Sequence, residues 1–104
     1  MTKLQKQEKR IRNKKLKEWS KEVRTNDGWK CAYCGKENKR LNAHHLLPKQ
    51  IYPKFQYDPK IGISLCPWNC HKRVAHYNGL VFAIWLMQNR PEQFKYIQKL
   101  LEEN

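Results

Sequence analysis

The chain has 104 residues, of which 22 are Lys or Arg and nine are Asp or Glu, so its formal net charge is +13 and its pI is near 9.8. This length allows one domain with a modest core and excludes two domains of ordinary size. The excess of positive charge favours a polyanionic partner, with nucleic acid first, although composition indicates a class of partner and not an activity.

Residues 1–24 are predicted to form a basic helical arm, because ten of them are Lys or Arg and only three are Glu. The apolar positions of this segment, which fall loosely on one helical face, are Leu4, Ile11, Leu16, Trp19 and Val23. The one-sided charge favours an arm that contacts phosphates, whereas a helix whose charges only confer solubility is the alternative. The arm lacks the apolar stretch of a secretory signal peptide, so we expect a cytoplasmic protein.

Residues 25–104 are predicted to complete the same single domain, and their first part is expected to be irregular. Turn-forming residues and four prolines interrupt any long helix between residues 25 and 70. Short β-strands are expected at residues 41–46 and 61–65, since the second segment, IGISL, alternates in side-chain size and ends at a cysteine.

From about residue 71 the sequence predicts helices again, first HKRVAH and then GLVFAIWLMQN from residue 79. A final helix over residues 91–104 is expected to carry Pro91 in its first turn. The residues expected in the core are Phe82, Trp85 and Leu86. The last helix carries an apolar stripe of Phe94, Ile97, Leu100 and Leu101. The longest apolar run, LVFAIWLM, has eight residues where a transmembrane helix needs about 20, so we expect no membrane partner.

The four cysteines form two close pairs about thirty residues apart, Cys31-Ala-Tyr-Cys34 and Cys66-Pro-Trp-Asn-Cys70. In a reducing cytoplasm such pairs favour a metal site over disulfides, and a tetrahedral thiolate site suits Zn²⁺. Gly35 follows the second cysteine, where the backbone must turn tightly around an ion. A structural zinc would explain how so polar a domain folds around a small core, while four ordinary buried thiols are the alternative.

The histidines are the adjacent pair His44 and His45, followed by His71 and His76. Neighbouring side chains on a strand point to opposite sides, so the two histidines of the pair are expected to have different roles. One histidine would bind a second, catalytic ion together with His71, while the other takes a proton from water. His76 lies about 140° around an ideal α-helix from His71, so its part in this site stays open. Structural histidines, or a zinc ligand in place of a cysteine, are the alternative.

Four segments, CAYCG, AHHLLPK, YDPKIGISLC and CHKRVAH, together resemble the HNH endonucleases of phage and bacteria, over residues 29–85. The segment HYNGLVFAIWLMQNRPEQF is similar to the helical ending of a phage-type subgroup of that family. The resemblance implies a small α+β fold. In it a ββα-metal motif, also called the His-Me finger, is stapled by a structural zinc on four cysteines and flanked by the basic helix and the C-terminal helices.

The resemblance also implies a metal-dependent DNA endonuclease, in which His44 and His71 bind the catalytic ion and His45 is the general base. The ion, Mg²⁺, Mn²⁺, Ni²⁺ or another divalent cation, would stabilise the charge that develops as the P–O bond breaks. The expected substrate is double-stranded DNA, and the expected products carry 5′-phosphate and 3′-hydroxyl ends. The residues expected to contact the nucleic acid are Lys14, Lys15, Lys17, Lys21, Arg24, Lys49, Lys72 and Arg73.

Further partners stay open at this point, since the protein could form a homodimer or bind a phage partner protein. A phage origin would place it in the cytoplasm of the host cell. Tyr33 and Trp68, which lie inside the two cysteine loops, could stack on bases, but we expect them to pack over those loops instead.

The chain departs from the family where Ile61-Gly62 stands in place of the usual Asn-Gly. In the family that Asn helps to hold the loop and to orient the base, and an Ile side chain can neither donate nor accept a hydrogen bond. Activity is therefore in question. The polar residues that could take over this role are Asn42, Asp58 and Asn69.

A noncatalytic zinc-ribbon module that binds nucleic acid is the competing interpretation. The basic arm, the cysteine pairs and the missing Asn are in its favour. The set of His44, His45 and His71 favours a nuclease, because a pure binding module needs no base beside a metal ligand. A protein-interaction zinc domain of the kind found in ubiquitin ligases fits a net charge of +13 poorly.

Overall fold

The computed structural model describes residues 1–37 and 40–103. It confirms a small compact α+β architecture with a two-stranded antiparallel sheet, surrounding helices, and four cysteines close enough together to bind zinc. The elements in chain order are α1 (Lys3–Asn26), β1 (Asn42–His45), two short 3₁₀ helices (Pro53–Phe55 and Pro59–Ile61), β2 (Gly62–Leu65), a π-helix (Pro67–His76), α2 (Gly79–Asn89) and α3 (Pro91–Glu103).

Helix α1 begins at a capping box and runs two residues beyond the predicted arm. The Thr2 hydroxyl accepts a hydrogen bond from the backbone N–H of Gln5, and the Gln5 side chain accepts one from the N–H of Thr2. Residues 1–15 are all exposed, including Leu4 and Ile11 of the predicted apolar face. The first half of α1 therefore stands in solvent, and only its second half is packed.

The two strands pair antiparallel, with His44 opposite Ile63 and His45 opposite Gly62. One face of the sheet turns to a core that includes the cysteines and α2, and its buried residues are Cys31, Leu41, Ile63, Leu65, Cys66, Cys70, Phe82 and Leu86. The other face turns to α1 and α3, and the buried residues there are Trp19, Val23, Leu47, Phe55, Ile61 and Ile97. The sheet is thus a thin partition with a small core on each side.

Asp27, directly after α1, connects that helix to both the sheet and the last two helices. One carboxylate oxygen accepts a hydrogen bond from the backbone N–H of Ser64 at 2.8 Å, and the other lies 2.9 Å from the guanidinium of Arg90. Arg90 lies at the junction of α2 and α3, where the break was predicted. A charge-assisted pair at this position fixes the packed end of α1 across the sheet.

Most predicted elements are found at the expected places. Strands at residues 42–45 and 62–65 lie within the predicted ones, and α2 and α3 begin at the predicted residues. Asn104, the last residue of the predicted final helix, lies outside the described residues. Leu101, a member of the predicted apolar stripe, is exposed, and the helix expected from about residue 71 already begins at Pro67. None of the helices in the described ranges is long and apolar enough to span a membrane.

Gly62 is required by the close approach of α1 to the sheet, which gives a test of the packing. A methyl group at this position would overlap Val23 and lie 2.7 Å from the Trp19 ring, and neither neighbour can move freely in the core. We expect Gly62→Ala to lower the free energy of unfolding by about 1–3 kcal/mol in urea denaturation.

Gly79→Ala is the matched control, because an added methyl group there meets no atom within 4 Å. It stands at the start of α2, so the control should be neutral or slightly stabilising. Equal urea midpoints for Gly62→Ala and the native protein would contradict the described packing of α1.

Candidate metal centres

The first candidate centre consists of Cys31, Cys34, Cys66 and Cys70. Their four Sγ atoms lie within 4.8 Å of one another, and the Sγ atoms of Cys34 and Cys66 are 3.3 Å apart. A tetrahedral zinc site with Zn–S bonds of about 2.3 Å separates its sulfurs by about 3.8 Å, which is close to this arrangement. The predicted cysteine cluster is therefore present, and it could hold a metal ion such as zinc.

The backbone of the first cysteine loop directs both of its thiols inward. Gly35 has a φ of +78°, a left-handed conformation that glycine adopts without strain, and its N–H donates to the carbonyl of Cys31 at 2.8 Å. The N–H of Cys34 points at Cys31 Sγ at 3.4 Å. The N–H of Ala32 donates to the carbonyl of Ser64, so this loop is attached to β2.

The pKa values of three of the thiols, Cys31, Cys66 and Cys70, are strongly unequal. Burial opposes ionisation of Cys31, but hydrogen bonds from the backbone N–H groups of Cys34 and Cys66 lower its pKa to about 7. Burial and the neighbouring thiols raise the pKa of Cys66 to about 12, and the same causes raise the pKa of Cys70. One thiolate thus hinders the formation of the others, and a divalent cation between them would remove this repulsion.

Cys34→Ser tests the cysteine cluster with little disturbance of packing, because Cys34 is the one exposed member of the four. If zinc on four sulfurs stabilises the fold, losing one ligand should cost several kcal/mol of unfolding free energy and lower the zinc content per chain. Elemental analysis and urea denaturation measure both. Native protein that is well folded without zinc, or a variant as stable as the native protein, would contradict a structural zinc.

The second candidate centre consists of His44, His71 and His76. Nε2 of His71 lies 3.0 Å from Nδ1 of His44 and 3.0 Å from Nε2 of His76, so three ring nitrogens converge on one point. These nitrogens all lie within 4.8 Å of one another, which would allow them to share a metal ion. The expected pair of His44 and His71 is brought together, and His76 joins it.

The π-helix explains why His76 belongs to this cluster. In a π-helix each backbone N–H bonds to the carbonyl five residues earlier, as in the bonds from His71 to Cys66 and from Tyr77 to Lys72. Side chains five residues apart then lie on the same side, whereas an α-helix separates them by about 140°. Spacing alone leaves the place of His76 open, because the expected α-helix and the observed π-helix direct its side chain differently.

Two histidines of this cluster, His44 and His71, are held in a neutral state. Burial and the neighbouring histidines lower the pKa of His44 to about 3. Burial, followed by the charge of His76, lowers the pKa of His71. Ring nitrogens that carry no proton at neutral pH keep a lone pair, which is the form that binds metal ions.

His45 points to the other face of the sheet, towards α1. Its imidazole stacks on the Trp19 indole with the ring centroids 3.7 Å apart and the planes 9° from parallel. Its Nε2 lies 2.9 Å from the carbonyl oxygen of Gln56. A carbonyl can only accept, so Nε2 carries the proton and Nδ1 keeps the lone pair. Burial lowers the pKa of His45, and the Gln56 hydrogen bond offsets part of this shift.

Trp19 holds His45 in place by this stack, although the sequence predicts Trp19 only as part of an apolar helix face. Its indole N–H donates to the carbonyl oxygen of Asp58 at 2.8 Å, which fixes the plane on which His45 stacks. The stack of Trp19 on His45 joins residues 26 positions apart in sequence. No local pattern reveals it, so Trp19 was missed as a candidate functional residue.

Ile61 is completely buried among apolar side chains, so the position of the family Asn belongs to the core here. The three polar residues considered as replacements lie elsewhere. Asn42 contacts His71, with its amide nitrogen 3.0 Å from His71 Nδ1. The backbone carbonyl of Asp58 accepts a hydrogen bond from the Trp19 indole. Asn69 is exposed on the π-helix. The groups that orient His45 are instead Trp19 and Gln56.

All four histidines line one open cavity of about 650 Å³, together with Lys49. Lys72 and Arg73 are exposed on the π-helix beside the cavity-lining residue His71. Arg24 donates a hydrogen bond from Nε to the carbonyl oxygen of Ser20 at 3.2 Å, and its guanidinium lies 4.8 Å from the Trp29 ring centroid. The remaining predicted contact residues are exposed on α1 and are Lys14, Lys15, Lys17 and Lys21.

The two aromatic residues of the cysteine loops, Tyr33 and Trp68, differ in their packing and exposure. Tyr33 packs against Phe82 and Trp85 at centroid distances of 6.2 and 5.0 Å, as expected. Trp68 is instead 59% exposed, with the Lys72 ammonium 4.7 Å from its ring centroid. The expectation that Trp68 packs over its loop was wrong, because the π-helix turns this side chain outward.

The structure thus contains two groups of side chains that could bind metal ions, and the consecutive residues Cys70 and His71 belong one to each group. A scan against protein-family models found no match, and searches of curated proteins and of solved structures found none either. The chemistry of the two clusters and of His45 is therefore the basis for assigning a function.

Proposed function

We propose that the protein is a metal-dependent HNH endonuclease that hydrolyses phosphodiester bonds in DNA. The observation that carries the proposal is the placement of His45 in the same cavity as the cluster of His44, His71 and His76. Hydrolysis of a phosphodiester needs a base for water and a cation for the phosphate, and this cavity could provide both. The net charge of +13 suits a polyanionic substrate.

In this proposal His44, His71 and His76 hold the catalytic divalent ion through three ring nitrogens. When bound, the ion would neutralise charge on the scissile phosphate and on the leaving 3′ oxygen. Imidazole ligands suit Ni²⁺, Zn²⁺ and similar ions better than Mg²⁺, which prefers oxygen ligands. We therefore expect Ni²⁺ to support activity at lower concentrations than Mg²⁺ does.

Asn42 orients His71 within the metal cluster. A metal-bound Nε2 requires the proton of His71 to be on Nδ1, where it needs an acceptor. The Asn42 amide lies 3.0 Å from this nitrogen, and a half-turn of the amide group presents its oxygen in place of its nitrogen. Asn42 can therefore hold His71 in the tautomer that binds metal.

His45 is the general base, and it takes a proton from the attacking water at Nδ1. The Gln56 carbonyl fixes the tautomer that leaves this nitrogen free, and Trp19 fixes the plane of the ring. These two contacts do for His45 what the Asn of the family does for its base. The loss of that Asn at Ile61 is then compatible with activity.

The four cysteines hold a structural zinc in this proposal. Cys66 and Cys70 lie at the start of the π-helix, so zinc would anchor the helix that carries His71 and His76. Products with 5′-phosphate and 3′-hydroxyl ends follow from attack on phosphorus with the 3′ oxygen leaving. The exposed lysines of α1 and the cavity residue Lys49 contact the DNA backbone, largely without regard to sequence.

The main test is cleavage of supercoiled plasmid in the presence of Mg²⁺, Mn²⁺ or Ni²⁺, each with and without chelator. We expect ion-dependent cleavage and a decrease of roughly 10² to 10⁴ in rate for His45→Ala, since that is the usual contribution of a general base. His44→Ala should also be slow but should recover activity at high ion concentration, because it weakens a ligand set and leaves the base in place.

Gln50→Ala is the matched control for these variants, because Gln50 lines the same cavity without a part in the mechanism. Its rate should equal the native rate, and thermal unfolding should show that all variants fold. If the native protein binds DNA but none of the three ions supports cleavage, the noncatalytic zinc-ribbon module replaces the nuclease as the function.

The basic arm is tested by deleting residues 1–17, which are exposed apart from the half-buried Leu16; the deletion keeps the buried Trp19 and Val23. Each phosphate contact that is lost should reduce the slope of log K against log salt by roughly 0.9. We therefore expect a flatter slope for the deletion, measured by fluorescence anisotropy with duplex DNA.

A variant with Lys95→Gln and Lys99→Gln serves as the charge control, since both lysines are exposed on α3 and have no part in the proposed DNA contacts. Its slope should equal the native slope. An unchanged slope for the deletion would mean that the first half of α1 only confers solubility.

A further inference from the structure

A second cleft of about 520 Å³ lies on the far side of the histidine cluster. Its lining residues are Asn42, Pro67, His71, Lys72, His76 and Tyr77. His71 and His76 also line the larger cavity that contains His45, so the proposed metal ligands form a ridge between two depressions. A DNA strand whose phosphate reached the ridge would extend from the larger cavity into this cleft.

Tyr77 lines the second cleft with 76% of its surface accessible to solvent. Within the described ranges, its ring stacks on no other ring and its hydroxyl makes no hydrogen bond. Tyr77 directly follows His76, so the two Cα atoms are about 3.8 Å apart. An uncovered aromatic face therefore lies next to a proposed metal ligand.

Lys72 adds positive charge to the same cleft. Its ammonium group lies 4.7 Å from the ring centroid of the exposed Trp68, and this contact holds the lysine along the π-helix. The cleft thus combines a flat apolar surface with a cation. Nucleotides have the complementary combination of an aromatic base and an anionic phosphate.

We infer that the second cleft is a subsite for the nucleotide next to the scissile phosphate, with its base stacked on Tyr77 and its phosphate near Lys72. The inference rests on the proposed function, because the scissile phosphate is placed at the histidine cluster. Successive nucleotides of one strand rise by roughly 3.4 Å, so the flanking base is within reach of the residue after His76.

This subsite favours DNA that is locally unpaired. Both faces of a base inside a duplex are covered by its neighbours, so a base must leave the stack before it can lie on Tyr77. The cost of unstacking is absent where the base is already single-stranded. The substrate class is then DNA with an unpaired nucleotide, such as a gap or a flap, in preference to a uniform duplex.

The test measures binding to a gapped duplex that carries 2-aminopurine as its unpaired base. All proteins contain His45→Ala and no divalent ion is added, so binding is measured without cleavage and whether or not the native protein is a nuclease. Stacking is expected to quench the fluorophore. Tyr77→Leu should weaken binding roughly 5- to 150-fold and abolish quenching, while Tyr77→Phe should retain both.

Trp29→Leu is the matched control, since Trp29, like Tyr77, is an exposed aromatic residue. Within the part of the chain that the structure describes, it differs from Tyr77 in having a cation, the guanidinium of Arg24, over its ring. It lies outside both clefts and should bind the gapped duplex as the parent does. Fully paired DNA should bind Tyr77→Leu and the parent equally. Equal losses for Tyr77→Leu and Tyr77→Phe, an equal loss on paired DNA, or no loss at all would overturn the subsite.

These results separate the subsite from the proposed function. If the native protein cleaves DNA and Tyr77→Leu binds and quenches as the parent does, the subsite fails and the nuclease stands. If the native protein does not cleave and Tyr77→Leu still loses affinity for the unpaired base alone, the subsite stands as a binding site and the nuclease fails.

Discussion

The pairing of β1 with β2 is the constraint on which the rest of the structure depends. Its register sets His44 opposite Ile63 and His45 opposite Gly62, so that the adjacent histidines lie on opposite faces of the sheet. A shift by one residue would exchange the two faces and direct His44 to α1. The separation of His44, the proposed metal ligand, from His45, the proposed base, is therefore a property of the sheet, and the helices on each side only complete it.

Each face of the sheet presents its histidine to a different partner. On one side the cysteine cluster lies at the start of the π-helix. The hydrogen bonds of this helix span five residues, and its geometry brings His71 and His76 to His44. On the other side the packed half of α1 brings Trp19 to His45. Gly62 connects the two arrangements, because only a residue without a side chain allows α1 to come this close.

Much of the fold was predictable, because strands, helix starts and cysteine pairs leave local patterns in the sequence. Pro91 indicated the start of α3, and the adjacent histidines indicated a division of work between the two sides of a strand. The π-helix was not predictable from α-helical periodicity, so His76 was left open. The stack of Trp19 on His45 and the burial of Ile61 depend on packing between distant segments, which no local pattern encodes.

In the proposed enzyme, His44, His71 and His76 hold a metal ion separate from that of the cysteines. The most direct measurement is a crystal structure of the protein soaked in Ni²⁺, with anomalous difference maps that distinguish nickel from zinc. We expect zinc among the four Sγ atoms and nickel about 2.0–2.3 Å from the three converging ring nitrogens. Zinc at the cysteines with no nickel at the histidines, at saturating Ni²⁺, would contradict the account.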